Sequence, residues 1–395
     1  MIQPKLIVAL AAAVGLSFSG LSVPAAHAED NLKIGLIATL SGPPAVLGQQ
    51  LRNGLALAIK EHGGKLGGRT VDLVVADDEL KPDVAVGKAK ELVDRDKVDF
   101  VVGPVFSNIL GAIMKPVTGA GVILISPNAG SSAFAGKDCN PNFFVTSYQN
   151  DQIHEILGQY AQETGMKKVI IIVPNYQAGK DAAAGFKHKF AGEVLDEMYV
   201  PLGQLDYSAE LSRIAAAKPD AIFAFLPGGM GVNFVKQYRQ AGLADKIPFL
   251  SAFTVDESTL PAQQDAALGM YGGANWAPNL DNPQNKAFVD AYLKEYNAVP
   301  ATYAFQAYDA ALLIDSAVAA VKGDLSNKDA LRAAMMKADF KSPRGGFKFN
   351  TNHYPIQDFY LVKVQKRADG KFETEIVKKV FANYGDAFAK DCPMK

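Results

Sequence analysis

Two short stretches of the chain place polar groups where a small anion can be held. Ser107 lies where the apolar run Val98–Val102 gives way to a helix expected near Asn108–Gly119. A hydroxyl and the free N–H groups of a helix start suit a carboxylate, and the helix dipole reinforces the attraction. The same residue can equally serve as a helix cap. Asn128-Ala129-Gly130 follows the next apolar run, Val122–Ile125, at the matching height. Its amides offer the same chemistry, or an ordinary Pro-Asn turn.

Motifs of catalysis are missing from the same sequence. There is no G-x-S-x-G elbow, so a hydrolase triad lacks its signature. Gly63-Gly64-Lys65-Leu66-Gly67-Gly68-Arg69-Thr70 has a phosphate loop's composition, but its order is wrong and it precedes a strand, so it reads as a turn. His154-Glu155 has no second His four residues on. Asp77-Asp78-Glu79 is the densest acidic cluster, either a cation ligand set or a solvated strand end. The expectation is a binding protein with no catalytic residue, resident cofactor or metal.

The elements that position these residues alternate in type. Leu32–Ala38 reads as a buried strand, followed by the turn Ser41-Gly42-Pro43-Pro44 and a helix over about 48–62. Strand 70–76, helix 82–95, strand 98–102, helix 108–119 and strand 122–125 continue the series. Short apolar runs separated by amphipathic helices predict a parallel sheet covered on both faces. The rhythm restarts with helix 152–164, strand 168–173, helix 180–190, strand 194–200, helix 209–217, strand 221–225 and helix 231–241. Two series predict two doubly wound α/β lobes. Helices 283–296, 303–321 and 327–338 then precede a hairpin, 358–364 with 372–380, read as the chain returning to the first lobe and then to the second. Such repeated crossing makes a hinge of several strands.

Lys5, the apolar run Leu6–Leu21 and Ala26-His27-Ala28 fit a secretory signal over residues 1–28. Without it the formal charge moves from −1 to −2, because Lys5 is lost. A near-neutral chain is poorly suited to nucleic acid. The roughly 367 residues that remain exceed the ~250–300 that one core sustains. The predicted division is 29–147 plus 278–355 for lobe one and 148–277 plus 356–395 for lobe two. In an oxidising compartment Cys139 and Cys392 are either one disulfide or two free thiols.

Five segments together resemble the class I, Venus-flytrap periplasmic binding proteins of the branched-chain amino acid type. They are Ile34-Gly35-Leu36 with Leu40-Ser41-Gly42-Pro43 and Gly48-Gln49; Val102-Gly103-Pro104 with Ser107; Ile125-Ser126-Pro127-Asn128-Ala129-Gly130; Tyr238-Arg239-Gln240-Ala241-Gly242-Leu243; and Pro343-Arg344-Gly345. The resemblance implies a monomer in the periplasm, partnered by the membrane subunits of an ABC importer, with a small-molecule ligand and no catalysis. The same fold also serves sensor subunits. Where the family's amino acid binders place an acidic residue for the ligand's ammonium, this chain has Phe253; Pro227 and Leu47 stand at positions where aromatics are expected. A buried ammonium without a carboxylate is strongly penalised, so a Phe wall favours an apolar or aromatic body. Phe106, Tyr148, Tyr176, Trp276 and Tyr303 are further candidates for the cleft wall. The segment from Ser126 through Asn140-Pro141-Asn142-Phe143-Phe144 and Ser147-Tyr148 resembles the family branch that captures aromatic acids. The expected ligand is a benzoate-like or phenylpropenoid-like carboxylate, with a branched-chain or aromatic amino acid as the alternative.

Overall fold

The computed structural model describes Met1 and residues 31–394; the expected signal and its cleavage point otherwise lie outside the described residues. Strands and helices follow one another as β1 (Leu32–Ala38), α1 (Ala45–Glu61), β2 (Lys65–Leu66), β3 (Arg69–Asp77), α2 (Pro82–Lys90), β4 (Phe100–Val102), α3 (Ser107–Thr118), β5 (Ile123–Ser126) and β6 (Phe143–Val145). After them come α4 (Asn150–Glu163), β7 (Lys168–Pro174), α5 (Gln177–Lys189), β8 (Glu193–Val200), α6 (Ser208–Ala217), β9 (Ala221–Ala224), α7 (Gly229–Gln240), β10 (Phe249–Ser251), α8 (Leu260–Gln263) and β11 (Tyr271–Ala274). The chain closes with α9 (Pro283–Tyr296), α10 (Thr302–Ala320), α11 (Lys328–Lys337), β12 (Lys348–Phe349), β13 (Pro355–Lys366) and β14 (Phe372–Tyr384).

These strands form two sheets, one per lobe. The first has six strands in the order β2-β3-β1-β4-β5-β6, parallel except for the β2–β3 hairpin. The second has eight, running β12-β13-β11-β10-β9-β7-β8 with β14 on β13; its β8-β7-β9-β10-β11 part is parallel. Strands covered on both faces must be apolar throughout. Accordingly β4, β5 and β9 are buried at every residue. Helix α10 packs on α1, which returns the chain to the first lobe.

Some elements depart from the sequence reading. The predicted helix 82–95 is regular only to Lys90, and its last turn, Glu91–Arg95, widens. The glycine-rich turn contains a two-residue strand, with Lys65 paired to Thr70 and Leu66 to Arg69. β6 was not expected as a strand: three residues carry too little periodicity to register. The acidic cluster folds the loop after β1. Asp77 accepts from the Leu40 N–H at 2.9 Å, and buried Asp78 from the Thr39 hydroxyl at 2.6 Å. Cys139 and Cys392 are bonded, tying the C-terminal tail to the segment before β6 across 253 residues.

Three crossings join the lobes, and their polar groups bond to one another. Asn275, after β11, donates to the Ser147 carbonyl and to Gln357 Oε1, each at 3.2 Å. Gln357 Nε2 donates to Ser147 O at 2.6 Å. Arg344 donates to the Thr146 and Ser147 carbonyls and to Gln357 Oε1 while paired with Asp309 at 2.7 Å. The hinge is thus a knot of buried polar groups that bond mostly to one another, as low-dielectric surroundings favour, although Asp309 Oδ1 has no hydrogen-bond partner among the described residues.

Candidate functional site

Loops leaving the C-terminal ends of strands in both sheets line one cavity, which encloses about 360 Å³ of empty space with its solvent-open part included. Open α/β sheets present their ligand crevices at these ends. The first sheet contributes Leu47 from the start of α1, Val105, Phe106 and Ser107 after β4, Asn128 and Ala129 after β5, and Tyr148 after β6. The second contributes Tyr176 and Ala178 after β7, Phe225 and Pro227 after β9, and Phe253 after β10. Asn150 and His154 of α4, and Tyr303 of α10, complete the wall.

One end of the cavity is polar. Ser107 is the first residue of α3, and the capping position, Phe106, supplies no side-chain hydrogen bond. The Ser107 side chain therefore does not cap its helix. It accepts a hydrogen bond from Asn150 Nδ2 at 3.2 Å, which leaves its own proton free to donate. The first N–H groups of an α-helix have no partner within it, so hydroxyl and helix start present donors together. Asn128 acts as a brace: its Nδ2 donates to the Tyr148 hydroxyl at 3.2 Å and to Gln306 Oε1 at 3.1 Å.

The rest of the wall is aromatic except for Leu47, Val105, Ala129, Ala178 and Pro227. Tyr148 stacks on Phe253 with centroids 5.3 Å apart, and Tyr303 lies 5.9 Å from Phe253. Phe106 meets Tyr176 at 6.2 Å, and Tyr176 meets Phe225 at 6.4 Å. His154 sets its edge against Phe225 at 5.0 Å. Burial lowers its pKa to about 3, so its imidazole is neutral. Burial likewise pushes the phenols of Tyr148, Tyr176 and Tyr303 upward, keeping them protonated. No residue lining the cavity carries a formal charge at neutral pH.

Two sequence candidates lie elsewhere. Trp276 does not line this cavity: its ring stacks on Phe305 at 4.9 Å and its Nε1 donates to Asn285 Oδ1 at 2.6 Å, in an apolar cluster beside the hinge. Gly130 is also outside the lining, because its N–H is held by Asn150 Oδ1 at 3.0 Å. A Cβ there would sit 1.7 Å from the Tyr148 carbonyl oxygen, so only glycine allows the two loops to meet. Asn150, Phe225 and His154 were missed as wall residues. The strand-end rule applied to Ala221–Phe225 offered a signal for Phe225, whereas nothing local marked Asn150.

Comparison with known proteins decides the family. A sequence profile described as periplasmic binding protein matches residues 31–371. The chain belongs to this family. A protein of Brucella melitensis named Leu/Ile/Val-binding protein homolog 6 is 31% identical over 388 residues, covering 95% of this chain and 97% of the relative. The solute-binding protein of a Rhodopseudomonas palustris ABC transporter, solved in complex with benzoate, is 34% identical with a TM-score of 0.88, covering 92% of this chain and 100% of that one. A branched-chain amino acid transporter substrate-binding protein from Streptococcus pneumoniae, solved with isoleucine, has a TM-score of 0.78 at 27% identity, over 88% of this chain and 99% of its own. The two-lobed α/β architecture is that of class I periplasmic binding proteins. The chain is a periplasmic solute-binding protein of the ABC-transporter type.

Proposed function

We propose that this protein captures a small aromatic carboxylate, of the benzoate or phenylpropenoid kind, and delivers it to the membrane subunits of an ABC importer after export and removal of residues 1–28. One observation carries the reading: a largely aromatic cavity without a charged wall residue presents the Ser107 hydroxyl, held as a donor by Asn150, at a helix start. Ring burial supplies most of the affinity, and the hydroxyl with the helix start orients the anion. An α-amino acid would bring an ammonium that finds no carboxylate in this wall. Hinge closure would then exclude water and form the surface that the importer recognises. The relative solved with benzoate supports this ligand class; the relatives named for leucine, isoleucine and valine support the alternative, an amino acid.

A thermal-shift screen separates the two, because a ligand stabilises the folded form by mass action. Benzoate, 4-hydroxybenzoate and 4-coumarate should each raise Tm, and leucine and phenylalanine should not. The reverse pattern would establish the amino acid reading.

A further inference from the structure

We propose that Asp181, which does not line the cavity, positions the carboxylate-binding hydroxyl of Ser107 and latches the lobes around the ligand; this rests on the aromatic-carboxylate reading above. Asp181 sits on α5 of the second lobe and is only 5% exposed, yet no salt bridge among the described residues reaches it. Its carboxylate is satisfied by neutral donors. Ser132, in the loop between β5 and β6 of the first lobe, donates through its hydroxyl at 2.6 Å and its N–H at 3.2 Å. Gln177 Nε2, one helical turn away, donates at 2.7 Å. Asn150 Nδ2 donates at 2.8 Å. Three of these four bonds come from outside α5, and two come from the opposite lobe. Separating the lobes breaks those two and leaves water to replace them.

Asn150 carries the second half of the argument. Its Oδ1 accepts from Gly130 N–H, and its Nδ2 donates to both Asp181 and Ser107 Oγ. Every polar position of the amide is committed, so its orientation is fixed. The Asp181 carboxylate, which accepts, and the Gly130 N–H, which donates, together turn the amide's N–H groups toward Ser107. Ser107 must then accept from Asn150, and its own proton is left to point at an anion in the cavity. Without Asp181 only the Gly130 N–H holds the amide, which can then turn at the cost of that one bond and put its Oδ1 on the Ser107 proton. A ligand carboxylate would lose its donor although Ser107 is intact. The lobe that closes thereby also sets the donor that the closed site needs.

The test measures benzoate and benzamide binding to the full chain by stopped-flow and calorimetry for wild type, Asp181→Ala and Ser132→Ala. Losing a bond to a charged group predicts about a tenfold faster benzoate dissociation in both variants, with association within about threefold. Only Asp181→Ala should also erode the preference for benzoate over benzamide, by about tenfold. A mere packing role would lower Tm without moving that ratio. Should Asp181→Ala not fold, Asp181→Leu carries both readouts and Ser132→Ala the dissociation rate. Dissociation rates equal to wild type, or an unchanged ratio in both Asp181 variants, overturn the proposal. If wild type ignores benzoate, the ligand class fails and the latch is read from the ligand-free chain. Amide exchange at Gly130 and Ser132 should then be about tenfold faster in Ser132→Ala, and unchanged exchange overturns it.

Discussion

The ring of Tyr148, on the loop leaving β6, stacks on the ring of Phe253, on the loop leaving β10, with planes 21° from parallel. The pair ties the crossing after β6 to the loop after β10 at the cavity wall. Phe253 also has a backbone φ of +60°, a region that costs an L-residue roughly 1–2 kcal/mol. Strain kept at a ligand wall signals that the ring's placement outweighs backbone comfort.

Phe253 therefore gives a paired prediction. Replacement by Ala removes the ring and keeps the strain, whereas Gly removes both. Benzoate affinity should fall by about 2 kcal/mol, roughly thirtyfold, in either variant. Phe253→Gly should be more stable to urea than Phe253→Ala by about 1 kcal/mol. Calorimetry and urea unfolding decide it, and a ligand-independent Phe253 would leave affinity unchanged.

Ser107→Ala tests the anion end. The substitution removes a donor without disturbing a helix cap, since Ser107 makes none. Carboxylate ligands should lose about 1.5–3 kcal/mol, while the matching amides or esters lose less than half of that. Equal losses in calorimetric titration would take Ser107 out of the site.

The alternation of β-branched runs and amphipathic helices made the fold readable. A parallel strand buried on both faces must be apolar along its length, and Val169 to Val173 can hardly be anything else. The strand-end rule marks Ser107, Asn128 and Tyr176, and all three line one cavity. Residues whose place depends on a crossing between lobes were not readable. Asn150 is separated from Gly130 by 20 positions and from Asp181 by 31, and only hinge geometry brings the three together. Trp276 followed a strand end as the wall residues do, but beside the hinge the chain turns it toward Phe305.

Buried titratable groups give the stability a signed pH profile. Burial raises the folded-state pKa of Glu257 to about 8 and that of Asp151 to about 7. The unfolded chain ionises these carboxyls first, so stability drains away as pH rises toward 8. Burial lowers His154 to about 3 and His353 to about 4, so the unfolded chain protonates first as pH falls below about 6.5. Each group contributes a slope of up to about 1.4 kcal/mol per pH unit within its window. Between about 4.5 and 6.5 the two pairs oppose each other, giving a broad maximum on the acid side of neutrality. Glu257→Gln should flatten the alkaline limb, with Tm at pH 8 closer to Tm at pH 6 than in wild type. A wild-type Tm that climbs from pH 6 to pH 8 would refute this assignment.

Arg344 and Asp309 set what the hinge can tolerate. The pair is fully buried at 2.7 Å, and the guanidinium lies 4.9 Å from the Phe305 ring centroid and 4.8 Å from that of Phe347. The Asp309 carboxylate also accepts from the Ser342 hydroxyl at 2.6 Å. Arg344→Ala would leave that carboxylate without its cation and the Thr146 and Ser147 carbonyls without this donor. Breaking one side of a buried pair costs about 3–5 kcal/mol, whereas apolar replacement of both partners is often near neutral. Arg344→Ala should therefore unfold at much lower urea than wild type, and Arg344→Met with Asp309→Leu should recover most of the loss. Arg344→Lys keeps the charge but lacks the planar fork that reaches carboxylate and carbonyls together. It should fall between the two in stability and dissociate benzoate faster than wild type, because the hinge crossings that Arg344 ties would be free to shift. An Arg344→Lys protein matching wild type in both measurements would mean that charge alone, not the fork, holds the hinge.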